Sequence, residues 1–381
     1  MNTTYKLQLE TLSPIHIGAG QEKYWQRGLD YYYKDKKIYI LNQKKILLSL
    51  SPQERSNFNV KVSTGKGADF LSEFFSRNNP FDFSNFAYDC NMPPQEDIRT
   101  FIRNGMGQPY IPGSSLKGAI RSAIFNHIFN NEGIRLRIFD QQEGRERDKK
   151  PNELEKDVFG DITNNLMHFI QISDVAIHQG NICIQHAKTF NLFNERGEWQ
   201  GGWKHALHGK TNAEFKSRGF VFPYECIKPE VEANTFFTIS FDTDLLKFKS
   251  KSNPRYVSLL EGENPVERIF QLINKQTKEY VNREIIFFKS YPDASEGGSA
   301  LVSFLEYILE EINEMQSGCI FRFGHGVGFH SITGDWRFSN HIDTIEHPDR
   351  SKRYKSRKTI FDEDDEGTLF DLFGFVKLTL T

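Results

Sequence analysis

The sequence predicts an α+β protein with antiparallel sheets, helices packed on one face, and inserted hairpins and loops. Three observations carry that expectation. At the start, Tyr5, Leu7 and Leu9 interleave with Lys6, Gln8 and Glu10, and alternation of period two places one face of a strand in a core. Late in the chain, Leu301, Phe304, Leu305, Ile308, Leu309, Ile312 and Met315 recur at three- and four-residue spacing, the pattern of an amphipathic helix that stops before Gly318. Strand-like and helix-like segments alternate in both halves, consistent with ferredoxin-like βαββαβ units. With 381 residues, 38% of them hydrophobic, the chain can bury real cores, and two domains are expected, at 1–180 and 181–381.

The elements follow in order. The opening strand continues toward Ser13-Pro14-Ile15-His16-Ile17 and ends at Gly18-Ala19-Gly20. Residues 31–33 and 37–41 form a strand pair turning at Lys34-Asp35-Lys36, and Asn42 caps a short helix at 44–50. Phe70, Leu71, Phe74 and Phe75 mark another helix. Pro112 and Gly113 then stop an extended segment, Ser114 or Ser115 can cap the helix that follows, and Leu116, Ile120, Ala123, Ile124 and Ile128 face inward. Residues 140–157 are nearly all charged or polar and are expected to form an exposed, mobile insertion. Strands are expected near 169–175, 181–186 and 236–241, a projecting hairpin at 195–210, and a helix over 266–288.

A net charge of −2 excludes a protein that coats nucleic acid by bulk electrostatics, so any RNA contact has to use local basic patches. Cys90, Cys183, Cys226 and Cys319 form no C-x-x-C pair, which suggests neither a zinc site nor a disulfide framework and fits a reducing cytoplasm. The first residues have no apolar signal core and no run is long enough to span a bilayer, so a cytoplasmic protein without membrane contact is expected.

Two segments point to an anion. The start of the helix after Pro112 offers free amides, a positive dipole end and the cations Lys117 and Arg121 one turn apart. The segment Arg322-Phe323-Gly324-His325-Gly326-Val327-Gly328-Phe329-His330 places alternate glycines directly after a strand, where backbone can come close to a ligand. It lacks the G-x-G-x-x-G spacing of a dinucleotide site and a Walker lysine. His16, His325 and His330 offer an acid–base pair for metal-independent RNA cleavage, or groups that stack on a nucleotide. Contiguous carboxylates from Asp362 to Glu366 read as a solvated loop rather than a metal site. The densest basic run is Arg350, Lys352, Arg353, Lys355, Arg357 and Lys358, with Tyr354 inside it.

Three of these motifs, Leu12-Ser13-Pro14-Ile15-His16-Ile17-Gly18-Ala19-Gly20, Ile111-Pro112-Gly113-Ser114-Ser115-Leu116-Lys117-Gly118 and Phe323-Gly324-His325-Gly326-Val327-Gly328, occur in the order found in RAMP proteins of CRISPR systems, which the chain resembles. The closing Ser356-Arg357-Lys358 and Phe373-Gly374-Phe375-Val376-Lys377-Leu378 are similar to the end of the fifth-subunit family of type III-A Csm effector complexes. Residues 140–157 and 195–265 match nothing in that pattern. The resemblance implies an RRM-related core without catalytic residues, metal or other cofactor, which binds the 3′ portion of the crRNA and caps the filament. It also implies contact with the adjacent backbone RAMP subunit and the small helical subunit, and guide 3′-end maturation by host trimming nucleases. The RNA-binding residues expected on this basis are His16, Gly18, Gly20, Ser114, Ser115, Lys117, Arg121, Arg322, Gly324, His325, Gly326, Gly328, His330, Lys352, Arg353 and Lys355. Backbone amides at the glycines would hold phosphates without reading bases. Backbone subunits of such complexes hold a target-cutting aspartate near the position of Asp30, but Leu29-Asp30-Tyr31-Tyr32-Tyr33 runs straight into a strand and the role is not carried over. The alternatives are a metal-independent RAMP endoribonuclease that processes guide precursors and another RAMP backbone subunit.

Overall fold

A computed structural model describes residues 2–20, 23–131, 133–141, 144–163, 165–206, 211–240, 259–260, 264–291, 297–328, 331, 356–363 and 367–381. The expected α+β architecture is observed, with seven α-helices among the described residues. Leu7 and Leu9 on the opening strand, Asn2–Thr11, are fully buried, as the alternation requires. That strand sits in the middle of a five-stranded antiparallel sheet ordered Ile170–Ile172, Glu232–Ser240, Asn2–Thr11, Phe375–Leu380, Gly318–Arg322. The first four reproduce the strand order of a ferredoxin-like unit, and the fifth extends the sheet. The helix Gly113–Asn131 lies between the first two of these strands in the chain, and the helix Pro265–Ser290 packs on Gly318–Arg322.

A second sheet runs Thr211–Asn212, Glu198–Lys204, Ile182–Glu195, Phe222–Ile227, Ile98–Arg99, Tyr24–Trp25, with Ser356–Glu363 paired to Ile182–Glu195 and Thr368–Leu372 paired to Ser356–Glu363. Its contact between Phe222–Ile227 and Ile98–Arg99 is parallel and pairs Tyr224 with Arg99. The strands Tyr31–Lys34 and Lys37–Leu41 turn at Asp35 and Lys36, both at positive φ, and pair onward with Ser84–Asp89. Asn42 caps the helix Gln43–Ser49 by accepting from the Lys45 amide.

One local expectation needs correction. The charged insertion is not a bare exposed loop. Arg137–Asp140 and Arg145–Asp148 pair as a hairpin, and Pro151–Phe159 is helical. Arg147 joins the two, reaching Asp140 at 2.7 Å and Glu153 at 2.8 Å, and Leu154, Val158 and Phe159 are buried. The strands Ile182–Glu195 and Glu198–Lys204 form the expected hairpin, anchored at its base where Trp203 is fully buried against Phe190 and Phe370, with Asn194, Arg196, Gly197 and Glu198 exposed at its tip. No described helix is long and apolar enough to cross a membrane.

Candidate nucleic-acid interface

The opening glycine motif, the late glycine loop and the closing pattern converge. Leu12 donates its amide to the Phe375 carbonyl, Gly374 donates to Pro14, and Phe323 donates to Gly374. The Phe375 amide donates to Ser13 Oγ at 2.9 Å. The His325 amide donates to the His16 carbonyl at 2.8 Å. Such close backbone contacts explain two glycines. A Cβ on Gly324 would stand 2.8 Å from the His16 oxygen, and one on Gly326 would stand 2.7 Å from the Phe373 ring, with φ at 95° and 87°. Only glycine adopts these conformations without strain.

Tyr224 and Glu225 are adjacent on the strand Phe222–Ile227, so their side chains leave opposite faces of the sheet. The Glu225 carboxylate, fully buried, accepts from both terminal nitrogens of Arg103 at 2.9 and 3.0 Å, from the Trp25 indole at 2.9 Å and from the Phe101 amide at 2.7 Å. It is a fixed internal counter-ion whose charge is consumed by Arg103. The Tyr224 side opens on cations. Lys358 Nζ donates to the Tyr224 hydroxyl at 2.7 Å and lies 3.2 Å from His325 Nε2, while the Arg99 guanidinium carbon is 5.3 Å from the Tyr224 ring centre. Among the described residues neither Arg99 nor Lys358 has a carboxylate partner. Burial and the nearby Arg99 charge lower the Lys358 ammonium to about 8.

The imidazoles complete the cluster. His16 is 2% exposed, its Nδ1–H donates to the Glu225 carbonyl at 2.7 Å, and its ring meets Tyr224 edge-on at 4.9 Å. Burial holds its pKa down at about 4. His325 is lowered to about 3 by burial, by Lys358 and by His16. Both rings are neutral at pH 7, and the lysine proton directed at His325 Nε2 makes that nitrogen an acceptor. Tyr224 itself is fully buried and holds Lys358 from beneath, while an anion beside the half-buried Arg99 and Lys358 would be met by two cations without a carboxylate partner among the described residues.

The other expected residues fall as follows. Gly18 and Gly20 lie on the same converging motif, and a Cβ at Gly20 would meet open space. The helix at Gly113 starts earlier than the sequence suggests. Neither Ser114 nor Ser115 caps it, because Asp174 Oδ1 already accepts from the Gly113 amide at 2.7 Å. Gly113 is glycine because a Cβ would stand 2.1 Å from the Ile172 carbonyl. Lys117 is half-buried and its pKa is lowered by burial. Arg121 is paired with Glu155 at 2.9 Å and covers the Phe159 ring at 4.7 Å. Arg322 is expected on the ligand surface but is 6% exposed, donating to the Phe373 carbonyl at 2.6 Å and to Tyr280, so it braces the loop from within. Gly328 is exposed. His330, Lys352, Arg353 and Lys355 lie outside the described residues. Asp30 accepts from the Gln26 amide at 2.9 Å and from Gln43 at 2.6 Å, which ties down a turn. Arg99 and Tyr224 carry no motif and are not singled out by sequence; Lys358 stands in the closing motif but is not distinguished there from Arg357.

The RAMP superfamily model matches residues 8–329. The chain belongs to the RAMP superfamily. Among curated RAMP relatives, the CRISPR system Cms protein Csm5 of Methanocaldococcus jannaschii is 28% identical over 306 residues, covering 73% of this chain and 70% of the relative. Csm5 of Streptococcus thermophilus is 33% identical over 147 residues, covering 34% of this chain and 40% of its own. These names agree with the fifth-subunit resemblance in the closing pattern. Two solved structures share the fold. A chain of a Csm–crRNA–target RNA ternary complex from a type III-A CRISPR-Cas system superposes with a TM-score of 0.64 at 17% identity, covering all of both chains. T. onnurineus Csm5 gives 0.57 at 18% identity, over 97% of this chain and 99% of that one.

Proposed function

We propose that this RAMP protein is a subunit of a type III-A Csm complex that binds the crRNA without cutting it, caps the 3′ side of the guide and is needed for its 3′-end maturation by partner nucleases. The observation that carries the reading is the pair of cations, Arg99 and Lys358, held beside the Tyr224 hydroxyl and the glycine loop with no internal carboxylate partner among the described residues. A desolvated, uncompensated cation pair is costly in the free protein, and a phosphate offsets that cost whatever base it carries. Sequence-independent grip suits a carrier of many guides. The Csm5 relatives and the Csm–crRNA–target RNA fold neighbour support the complex and the ligand class. The adjacent backbone RAMP subunit and the small helical subunit are the expected protein contacts.

The test is native mass spectrometry of the complex purified through a tag on this chain, with sequencing of the retained RNA. One copy per complex, and guide 3′ ends that become longer and ragged when the chain is deleted, are the expected results. Several copies would favour a backbone subunit. The proximity of His16, His325, Lys358 and Tyr224 favours one second reading, a metal-independent nuclease. Cleavage of RNA by the isolated chain in EDTA, abolished by His325→Ala, would replace the carrier with that enzyme.

A further inference from the structure

The phosphate cluster continues into a row of aromatic rings that its own chemistry does not need. Tyr24 on the edge strand Tyr24–Trp25 is 39% exposed and stands opposite Arg99 in register. The Arg99 guanidinium lies 5.8 Å from the Tyr24 ring centre and 5.8 Å from that of Phe222. Phe222 is two residues from Tyr224 on one strand, so both project from the same face. Phe220 meets Phe222 edge-on at 4.8 Å, and Lys204 Nζ lies 4.8 Å from the Phe220 ring centre. The row is therefore Tyr24, Arg99, Phe222, Phe220, Lys204, with cations interleaved among the rings. At its Tyr24 end it borders a cavity of about 410 Å³ lined by Ala19, Lys23, Trp25 and Asn104.

We propose that this row is a stacking track for the bases of single-stranded RNA whose phosphate is held at Arg99 and Lys358. The inference rests on the phosphate-binding reading of that cluster and adds a ligand contact to it. Two features select single-stranded RNA over a protein partner. Protein interfaces enrich Arg and aromatic rings but deplete Lys, whereas here Lys204 lies over the Phe220 ring. Neither Arg99 nor Lys204 forms an ion pair among the described residues. Rings alternating with cations match the alternation of bases and phosphates along an unpaired strand. Stacking on these rings accepts any base, because every base has a π-face.

The experiment measures binding of the full chain to a short labelled oligouridylate and to an abasic phosphodiester strand of equal length. The wild type should prefer the base-bearing strand by about five-fold or more for each ring engaged, the lower end for base–aromatic stacking. Tyr24→Ala combined with Phe220→Ala should cut the preference by about twenty-five-fold, the share of two rings, with Phe222 left in place and abasic binding unchanged, while Tyr24→Phe, which keeps a ring, should retain it. Equal affinity of the wild type for the two strands would overturn the track and leave the phosphate cluster standing. Loss of the preference in Tyr24→Phe as well would also overturn it, since the phenol ring face would then not be the contact. If Lys358→Gln fails to weaken the abasic strand, the phosphate reading fails instead; if the wild type binds neither strand, both fail.

Discussion

Lys358 is held in a state that disfavours its own charge, and replacing it separates folding from binding. Its ordinary pKa of 10.5 falls to about 8 through burial and the Arg99 charge. Below about 8 the ammonium is protonated in both folded and unfolded chains, so the folded state bears the whole desolvation cost. That cost disappears as pH rises from about 8 to 10.5, because only the unfolded chain then keeps the proton. The gap corresponds to about 3 kcal/mol at neutral pH, so Lys358→Met should stabilise the free protein by up to that amount. The same change removes a charge-assisted bond to phosphate, worth about 1.5–3 kcal/mol, and RNA affinity should fall roughly ten- to a hundred-fold. The slope of log affinity against log salt should become shallower by about 0.7, one phosphate contact on a single strand. Denaturant melts and RNA titrations across salt measure both effects. With pH, wild-type affinity should be flat near neutrality and then fall about ten-fold per unit above the free-protein pKa; the variant should lack that fall. A variant that is less stable than wild type, or that keeps its affinity and salt slope, would refute the placement of an uncompensated cation at this position.

Three further outcomes follow from the same geometry. Glu225→Gln removes the charge facing Arg103 inside the protein and should lower stability by about 3–5 kcal/mol in a chemical melt, because Arg103 is left buried without its ion-pair partner. His16 and His186, each lowered by burial to about 4 from 6.5, take up protons first in the unfolded chain. Their stabilising contribution is complete above pH 6.5 and is lost as pH falls toward 4, about 3 kcal/mol for each ring, and His186→Phe should blunt this acid loss in melts across pH. Gly326→Ala forces a side chain into a positive-φ position 2.7 Å from Phe373 and should cost about 1–3 kcal/mol in thermal melts, whereas Gly18→Ala, with its nearest neighbour at 3.6 Å, should stay within about 0.5 kcal/mol.

The architecture is legible where a period sets it. The alternation of Leu7 and Leu9 fixes the central strand, and the Leu301–Met315 stripe fixes the helix Gly298–Glu314, because each pattern reports burial of one face directly. In the charged insertion the signal is present but sparse. Leu154, Val158 and Phe159 alone mark the buried side of Pro151–Phe159, and composition outweighs three residues when the segment is read as a whole. Glycine motifs are legible as motifs but not as functions. Gly113 admits a neighbouring carbonyl, and Gly324 and Gly326 admit backbone and a ring, so the spacing that suggests a phosphate cradle here first permits one chain segment to cross another.

The cations of the site are hidden for a different reason. Arg357 and Lys358 are indistinguishable as charges in a basic run, yet a strand turns them to opposite faces. Arg357 reaches Glu284 at 2.6 Å and lies 3.9 Å from the Phe287 ring centre, while Lys358 faces Tyr224. Period two, not charge density, decides which of them is left for a ligand. Arg99 reaches the site only because Ile98–Arg99 runs parallel to Phe222–Ile227, a pairing between segments more than a hundred residues apart that no local pattern encodes. Glu225 then divides the two sides of that strand. By taking Arg103 for itself it neutralises one face, so the cations on the Tyr224 face carry no internal counter-charge. The Tyr224 face is positive, in a chain of net charge −2, because the Glu225 carboxylate is spent on the far side of the sheet.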